Sequence, residues 1–404
     1  MADTTLSGLP GRARAAAPGR RGAPEPRPVK GPRLIELDAL RFIAAFAVMA
    51  FHYLAASRSL WGEHPTELFP SVARLSVLGI LGVELFFLIS GFVILMSVWG
   101  RTVGEFAVSR AARLYPAYWF TVVLIFILYR FSGVTGFDPK LSAGEYLLNL
   151  TMLQSAFGVG HAAGVFWSLW VELRFYLLVG IFSLFGITLR RCLVFMSAWL
   201  ALALVAELTR HEALLLVFMP RQAPYFIAGM ACYLIHRFGP RAAAGMPWLI
   251  LAASFGMSLY AALERVGGRV KLIGFRHFPA PPEAVVVVIT LIFALMIAVA
   301  LGGLRWVRWR GLVTVGALTY PLYLLHQTVS AVLIPSYRDD LAPWPLALLT
   351  MAVAIVLSYL VYRFVDAPGQ RWLRGRLTAL VRRPRRARRG GAPHLTQSGE
   401  ASVP

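Results

Sequence analysis

Long apolar runs alternate with short polar or basic segments over most of this chain. Ten of the runs are near the ~20 residues that an α-helix needs to cross ~30 Å of hydrocarbon. They fall near 34–56, 76–99, 113–131, 166–186, 190–207, 213–236, 246–264, 283–303, 311–335 and 341–366. A bilayer offers the backbone no water, so a spanning segment satisfies its own N–H and C=O groups as a helix. The pattern therefore predicts an all-α polytopic membrane protein of about ten transmembrane helices. Pro220 and Pro224 fall inside the sixth run and predict a kink there.

Composition agrees with the pattern. The chain has 404 residues, 58% hydrophobic and 15% charged, with mean hydropathy +0.66. Soluble domains carry about 25% charge. A net charge of +21 would suit nucleic acid, but the placement of the cations argues against that class. They crowd the two ends of the chain and alternate loops. If residue 1 is cytoplasmic, the loops at 100–112, 187–190, 236–246 and 303–311 are cytoplasmic too, and all are basic. Glu63, Glu67, Asp339 and Asp340 then lie outside. The expectation is a multi-pass protein of the cell membrane with both termini cytoplasmic. One loop breaks the rule: 264–283 should be outside, yet it holds Arg265, Arg269, Lys271, Arg276 and His277. Either the count fails there, or the loop attracts an anionic partner, or its charge is incidental.

Residues 1–33 and 369–404 are basic and lack long apolar runs, so they are expected to be disordered cytoplasmic tails flanking a transmembrane domain over 34–368. Cys192 and Cys232 fall within or beside spans and read as small hydrophobes rather than a disulfide or metal site.

The informative residues are the polar ones inside the apolar runs, where ionisable groups are costly and usually face a cavity or a partner. Arg41 and His52 stand eleven positions apart in the first run. At about 100° per residue they lie on one helix face, about 16 Å apart along the axis. Asp38 is close enough to pair with Arg41, so a structural Arg–Asp pair with a locally satisfied His is the competing account. In GVELFFLISGF (82–92), Glu84 shares a face with Phe87 and Gly91, and it can meet His52 across antiparallel helices. In SRAARLYPAYW (109–119), Arg110 and Arg113 project together, a spacing suited to phosphate. The competing account is charge anchoring, with Tyr115, Tyr118 and Trp119 as an interfacial belt. In FWSLWVELRFY (166–176), Ser168 and Glu172 share a face and Arg174 points elsewhere. In LTYPLYLLHQ (318–327), Tyr320, Tyr323, His326 and Gln327 enter the ninth span beside Pro321.

Taken in order, these stretches resemble the membrane acyltransferase-3 family. Its Arg-x10-His pattern is matched by Arg41 and His52, and its GV-acidic-xFFxxSG segment by Gly82 to Gly91. RxxR beside Tyr-Pro-x-Tyr is matched by Arg110, Arg113 and Tyr115 to Tyr118, and WSLxxE-xx-FY by Trp167 to Tyr176. The family's S-Y-x-x-YLxH and acidic-x-Pro are resembled by Thr319 to His326 and Asp366 to Pro368. Thr319, Asp366 and Glu84 are mild departures.

The resemblance implies an acyl-CoA-dependent O-acyltransferase. It would move acetyl or another short acyl group to a hydroxyl of a carbohydrate or a glycosylated or polyketide small molecule. It implies His52 as general base, with Glu84 or Glu172 orienting the imidazole as the acid does in a triad. Arg41, Arg110, Arg113, Ser168, Tyr320 and His326 would bind substrate. The partners would be acyl-CoA, a hydroxylated acceptor and the lipid bilayer, with no nucleic acid. No metal or redox cofactor is implied. Two readings from other classes compete: a transporter or flippase of a polar substrate, and a membrane scaffold.

Overall fold

The computed structural model describes residues 34–131, 141–273 and 281–382. Among them every regular element is helical, and ten helices are long and apolar enough to cross a membrane. These are α1 (Ile35–Ala56), α2 (Ala73–Val98), α3 (Val103–Phe131), α4 (Gly164–Leu184), α5 (Leu189–Thr209), α6 (Glu212–Phe238), α7 (Ala242–Arg269), α8 (Pro282–Ala300), α9 (Gly311–Tyr337) and α10 (Pro343–Val381). The expected all-α membrane architecture is present.

Three boundaries differ from the sequence reading by five residues or more, each for a physical reason. Helix α3 begins ten residues before the expected start at 113, because Arg110 and Arg113 end the apolar run without ending the helix. Helix α7 runs past 264, so Arg265 and Arg269 belong to a helix rather than a loop. Arg276 and His277 lie outside the described residues. Helix α10 continues beyond 366, so the segment 369–382, expected to be disordered tail, is helical. It packs along the first half of α3, where Gly369 meets Pro116 and Val381 meets Gly104. The remainder of that tail, like residues 1–33, lies outside the described residues.

The kink expected in α6 is a full break. The helix stops at Phe218 and restarts at Ala223, and Met219 takes a φ of 48°. Pro224 sits in the new first turn, where its missing N–H costs nothing.

Small residues bring the helices that carry the site close together. A Cβ on Gly91 of α2 would strike the carbonyl of Phe226 on α6, and one on Gly229 would strike that of Leu88. Gly79 and Gly82 let α2 approach the backbone of α1, and Gly316 lets α9 approach Asp38. Such small-residue contacts are how membrane helices pack without a hydrophobic driving force between them. Helix α1 is thereby held against both α2 and α9.

Two helices widen into a π turn, His52–Ala56 at the end of α1 and Tyr362–Asp366 within α10. Each extra residue re-aims the side chains that follow it, and such turns recur at functional sites. One π turn begins at a candidate residue, His52, and the other ends at Asp366, the acidic residue of the acidic-x-Pro match.

Between α3 and α4, residues 141–163 fold back beside α3. Ser142 and Glu145 form a capping box for the short helix Ala143–Asn149. Tyr118 Oη donates to Asn149 O (2.7 Å), Trp119 Nε1 to Leu150 O (2.9 Å) and Tyr115 Oη to Thr151 O (2.9 Å). Three consecutive carbonyls at the end of the short helix and the turn after it thus accept from one helix. Asn149 holds the return strand of the loop through Gly160 O (3.0 Å) and Ala162 N (2.9 Å). The three aromatics read from the sequence as a belt are therefore donors that bolt this loop down.

Candidate functional site

A cavity of about 240 Å³ is lined in part by residues near the helix ends that adjoin the basic loops, Arg110 and Arg113 of α3 and Tyr320 of α9. Helix α1 contributes Arg41 to its lining, α2 Phe86 and Ser90, α3 Arg110 and Arg113, α4 Ser168, Glu172 and Tyr176, and α9 Tyr320 and Tyr323. The two arginines of α3 share a face by their three-residue spacing. Arg113 pairs with the fully buried Asp366 of α10 at 3.4 Å, and its guanidinium lies 5.3 Å from the Tyr320 ring. Gln370 Nε2 donates to the same Asp366 oxygen at 2.8 Å. Arg41 pairs with Asp38 one turn away, at 3.5 Å. Arg110 faces the Tyr176 ring at 5.9 Å, and its buried Nε–H has no hydrogen-bond partner among the described residues.

Three guanidinium groups thus converge on one hole. The single carboxylate in the lining is Glu172, and its Oε1 accepts from Ser90 Oγ (2.9 Å) and Tyr176 Oη (2.5 Å). Positive charge dominates the lining, so the hole suits an anion, and the guanidinium forks suit phosphate oxygens in particular. At the inner end, Tyr323 Oη lies 2.6 Å from Ser168 Oγ and 3.2 Å from Val165 O, with the Phe86 ring edge-on at 5.7 Å. These side chains form a wall.

Behind the wall, one turn further along α9 than Tyr323, sits His326. It is 1% exposed, and its Nε2 lies 3.2 Å from Nδ1 of His52 on α1. His52 Nδ1 is also 2.8 Å from Val48 O, and His326 Nδ1 is 3.1 Å from Leu322 O. Tyr53 Oη donates to His326 O at 2.7 Å, so α1 and α9 are tied at this level twice.

Glu84 makes a contact that the sequence reading missed. That reading had it orienting His52, but its carboxylate is ion-paired with Arg265 of α7. The Arg265 guanidinium also lies 4.6 Å from the Trp167 ring. The second Glu84 oxygen is buried without a hydrogen-bond partner among the described residues. Glu172, the other expected orienting acid, is held in the cavity by Ser90 and Tyr176 instead. The expected carboxylate–imidazole contact is corrected to imidazole–imidazole and imidazole–carbonyl contacts. Helical spacing could have revealed Arg265: Ser254, Ser258, Ala262 and Val266 continue a buried stripe beside it, so the face of α7 that meets α2 and α6 extends to that level.

The structure brings Arg41, Arg110, Arg113, Glu172, Ser168 and Tyr320 into one cavity, and His52 and His326 into one pair behind it. Glu84 stands apart with Arg265. Arg174 points away, as its spacing implies, donating to Leu216 O at 2.6 Å. Among the described residues, no group of three or more His, Cys, Asp or Glu side chains is arranged to hold a metal ion.

One family model, that of an acyltransferase domain, matches residues 34–363. No curated protein and no solved structure matches the chain.

Proposed function

Because the chain belongs to the acyltransferase-3 family of membrane acyltransferases, we propose that it moves a short acyl group, such as acetyl, from cytoplasmic acyl-CoA to a hydroxyl of a carbohydrate or a glycosylated or polyketide small molecule. The observation that carries this reading is the single cavity that gathers Arg41, Arg110 and Arg113 and ends one side-chain layer from His52 and His326. In this reading the basic loops, and with them the cavity mouth, face the cytoplasm. CoA is a polyanion, and Arg110 and Arg113 take its phosphates. Arg41 meets the pantetheine arm or the thioester carbonyl, and the acyl end lies against the Tyr323–Ser168 wall.

The chemistry then needs a base at the wall. His52 Nε2 takes the proton of the acceptor hydroxyl as its oxygen attacks the thioester carbon. The C–S bond breaks, and the proton on His52 passes to the departing thiolate. Ester, free CoA thiol and neutral His52 result, so no proton or electron is left over. Transfer needs the acyl carbon and the acceptor oxygen about 3–3.5 Å apart, so in this reading the Tyr323 and Ser168 side chains part when both substrates are bound.

The test is to incubate the purified protein with a panel of acyl-CoAs and candidate acceptors and to follow free thiol. Acceptor-dependent thiol release, with the acyl group recovered on the acceptor, supports the reading. Protein-dependent movement of substrate across a vesicle membrane without thiol release would replace it with transport.

A further inference from the structure

A general base of the triad kind needs an acceptor behind it, and neither Glu84 nor Glu172 reaches His52. We infer that His326 fills that place: its Nε2 accepts the hydrogen bond from His52 Nδ1–H, so the proton-handling unit is a pair of imidazoles. The inference rests on the reading of His52 as the base.

Leu322 O can only accept, so His326 Nδ1, 3.1 Å away, carries hydrogen. In a neutral ring the other nitrogen then carries a lone pair. That nitrogen, Nε2, lies 3.2 Å from His52 Nδ1, and two lone pairs do not face each other at hydrogen-bond distance. His52 Nδ1 therefore carries hydrogen, which Val48 O, 2.8 Å away, requires independently. This N–H is shared between a carbonyl and an imidazole. His52 Nε2 is left with a lone pair, and no hydrogen bond engages it among the described residues. The tautomers follow from the acceptors alone.

The arrangement also prepares for the charged intermediate. When Nε2 takes a proton, the imidazolium charge is shared with Nδ1–H, which already points at two acceptors. The charged groups from α7 that act on His52, Arg265 and Arg269, are cations and cannot supply that help. Around His326 the contacts are Tyr53, Tyr323 and the ring of His52 itself. His326 is held for the task, because Tyr53, next to His52 in sequence, donates to its carbonyl. His326 touches no substrate in this scheme, so it is a positioning residue.

Two measurements test the pair. The first is nitrogen NMR of full-length protein with 15N-labelled histidine in lipid nanodiscs, with His52 assigned from the spectrum of His52→Gln. The expected result is hydrogen on Nδ1 and none on Nε2 of His52, with a shift at Nδ1 in His326→Leu. Hydrogen on Nε2 instead would overturn the inference, and this readout does not depend on activity.

The second measurement is kinetic. His326→Leu should lower kcat on the order of 10²-fold while leaving the donor KM unchanged, a smaller loss than that of the base itself. His326→Gln, whose amide oxygen can accept from Nδ1–H, should recover most of that loss. In a His52→Gln background, His326→Leu should cost nothing more, because residues acting as one unit are not additive. Equal losses in the Gln and Leu variants would overturn the inference. Thiol release absent from the wild type with every donor tried would instead overturn the functional reading, and the NMR result would still decide the pair.

Discussion

The arginine cavity and the histidine pair are one side-chain layer apart and are built on opposite principles. The cavity is open at one end and lined by three guanidinium groups, each with a different local partner: Asp38, Asp366 and the Tyr176 ring. In the pair His326 is buried beside Tyr53 and Tyr323 while His52 is half-buried, and the two rings lean on each other with centroids 5.0 Å apart. Recognising a polyanion is best done where water can carry away counter-ions and soften repulsion between cations. Moving a proton is best done where few competing acceptors remain and each hydrogen bond counts for more. A thin wall of Tyr323, Ser168 and Phe86 stands between the two environments, which in the proposed reading serve one donor.

The sharpest way to break this contrast is to remove the base. His52→Gln should lower kcat on the order of 10²–10⁴-fold with little change in donor KM. Near-normal turnover would show that the proton is handled elsewhere, and the two regions would lose their division of labour. Damage of another kind is expected at the Glu84–Arg265 pair, which belongs to neither region. Removing one partner of a buried ion pair costs about 3 kcal/mol or more, whereas replacing both with apolar groups costs far less. Thermal unfolding in detergent should therefore find Arg265→Met less stable than the double variant Glu84→Leu, Arg265→Met. Equal stability would mean that the pair is solvated rather than structural.

On the cavity side, Arg110→Ala with Arg113→Ala should raise the donor KM about tenfold or more and change kcat less, since the lost contacts bind ground state and transition state alike. Lys at both positions should restore part of the affinity, because a point charge lacks the bidentate fork. An unchanged KM would return these residues to membrane anchoring. The smallest effect is expected at the wall. Phe86→Ala opens space at the inner end of the cavity, and a longer acyl donor should gain about threefold in kcat/KM over the acetyl donor; buried apolar contacts of one or two methylenes discriminate weakly. No change in acyl preference would place the acyl group away from the wall.

The cavity was more legible in the sequence than the pair. Helical period puts Arg110 beside Arg113 and Arg41 on the stripe of His52, and these relations need nothing beyond local geometry. Glu172 and Ser168 were likewise grouped by their four-residue spacing, and both line the cavity. The contact between His52 and His326 joins residues 274 positions apart, and no periodicity encodes it. Arg265 was placed in a loop because cations end an apolar run on any hydropathy reading. Its charge is tolerated in the helix because Glu84 and the Trp167 ring meet it there. Tyr115, Tyr118 and Trp119 show what composition leaves out. Their composition suits a membrane interface, yet their hydroxyl and indole groups serve the backbone of a folded-back loop. The all-helical class and the ten spans were legible because the bilayer allows so few alternatives.

Helix α9 completes more than the histidine pair. The Gln327 side chain also accepts from Val165 N at 3.1 Å, at the turn that opens α4. A nascent chain halted after α8 would already own every arginine of the cavity. It would lack the partner of His52, the Tyr323 part of the wall and the acceptor for Val165. During synthesis the first helix must therefore wait in the bilayer for the ninth before His52 gains its partner. The cavity too is unfinished until then, since Thr319 and Tyr320 line it from α9 and Asp366 of α10 pairs with Arg113.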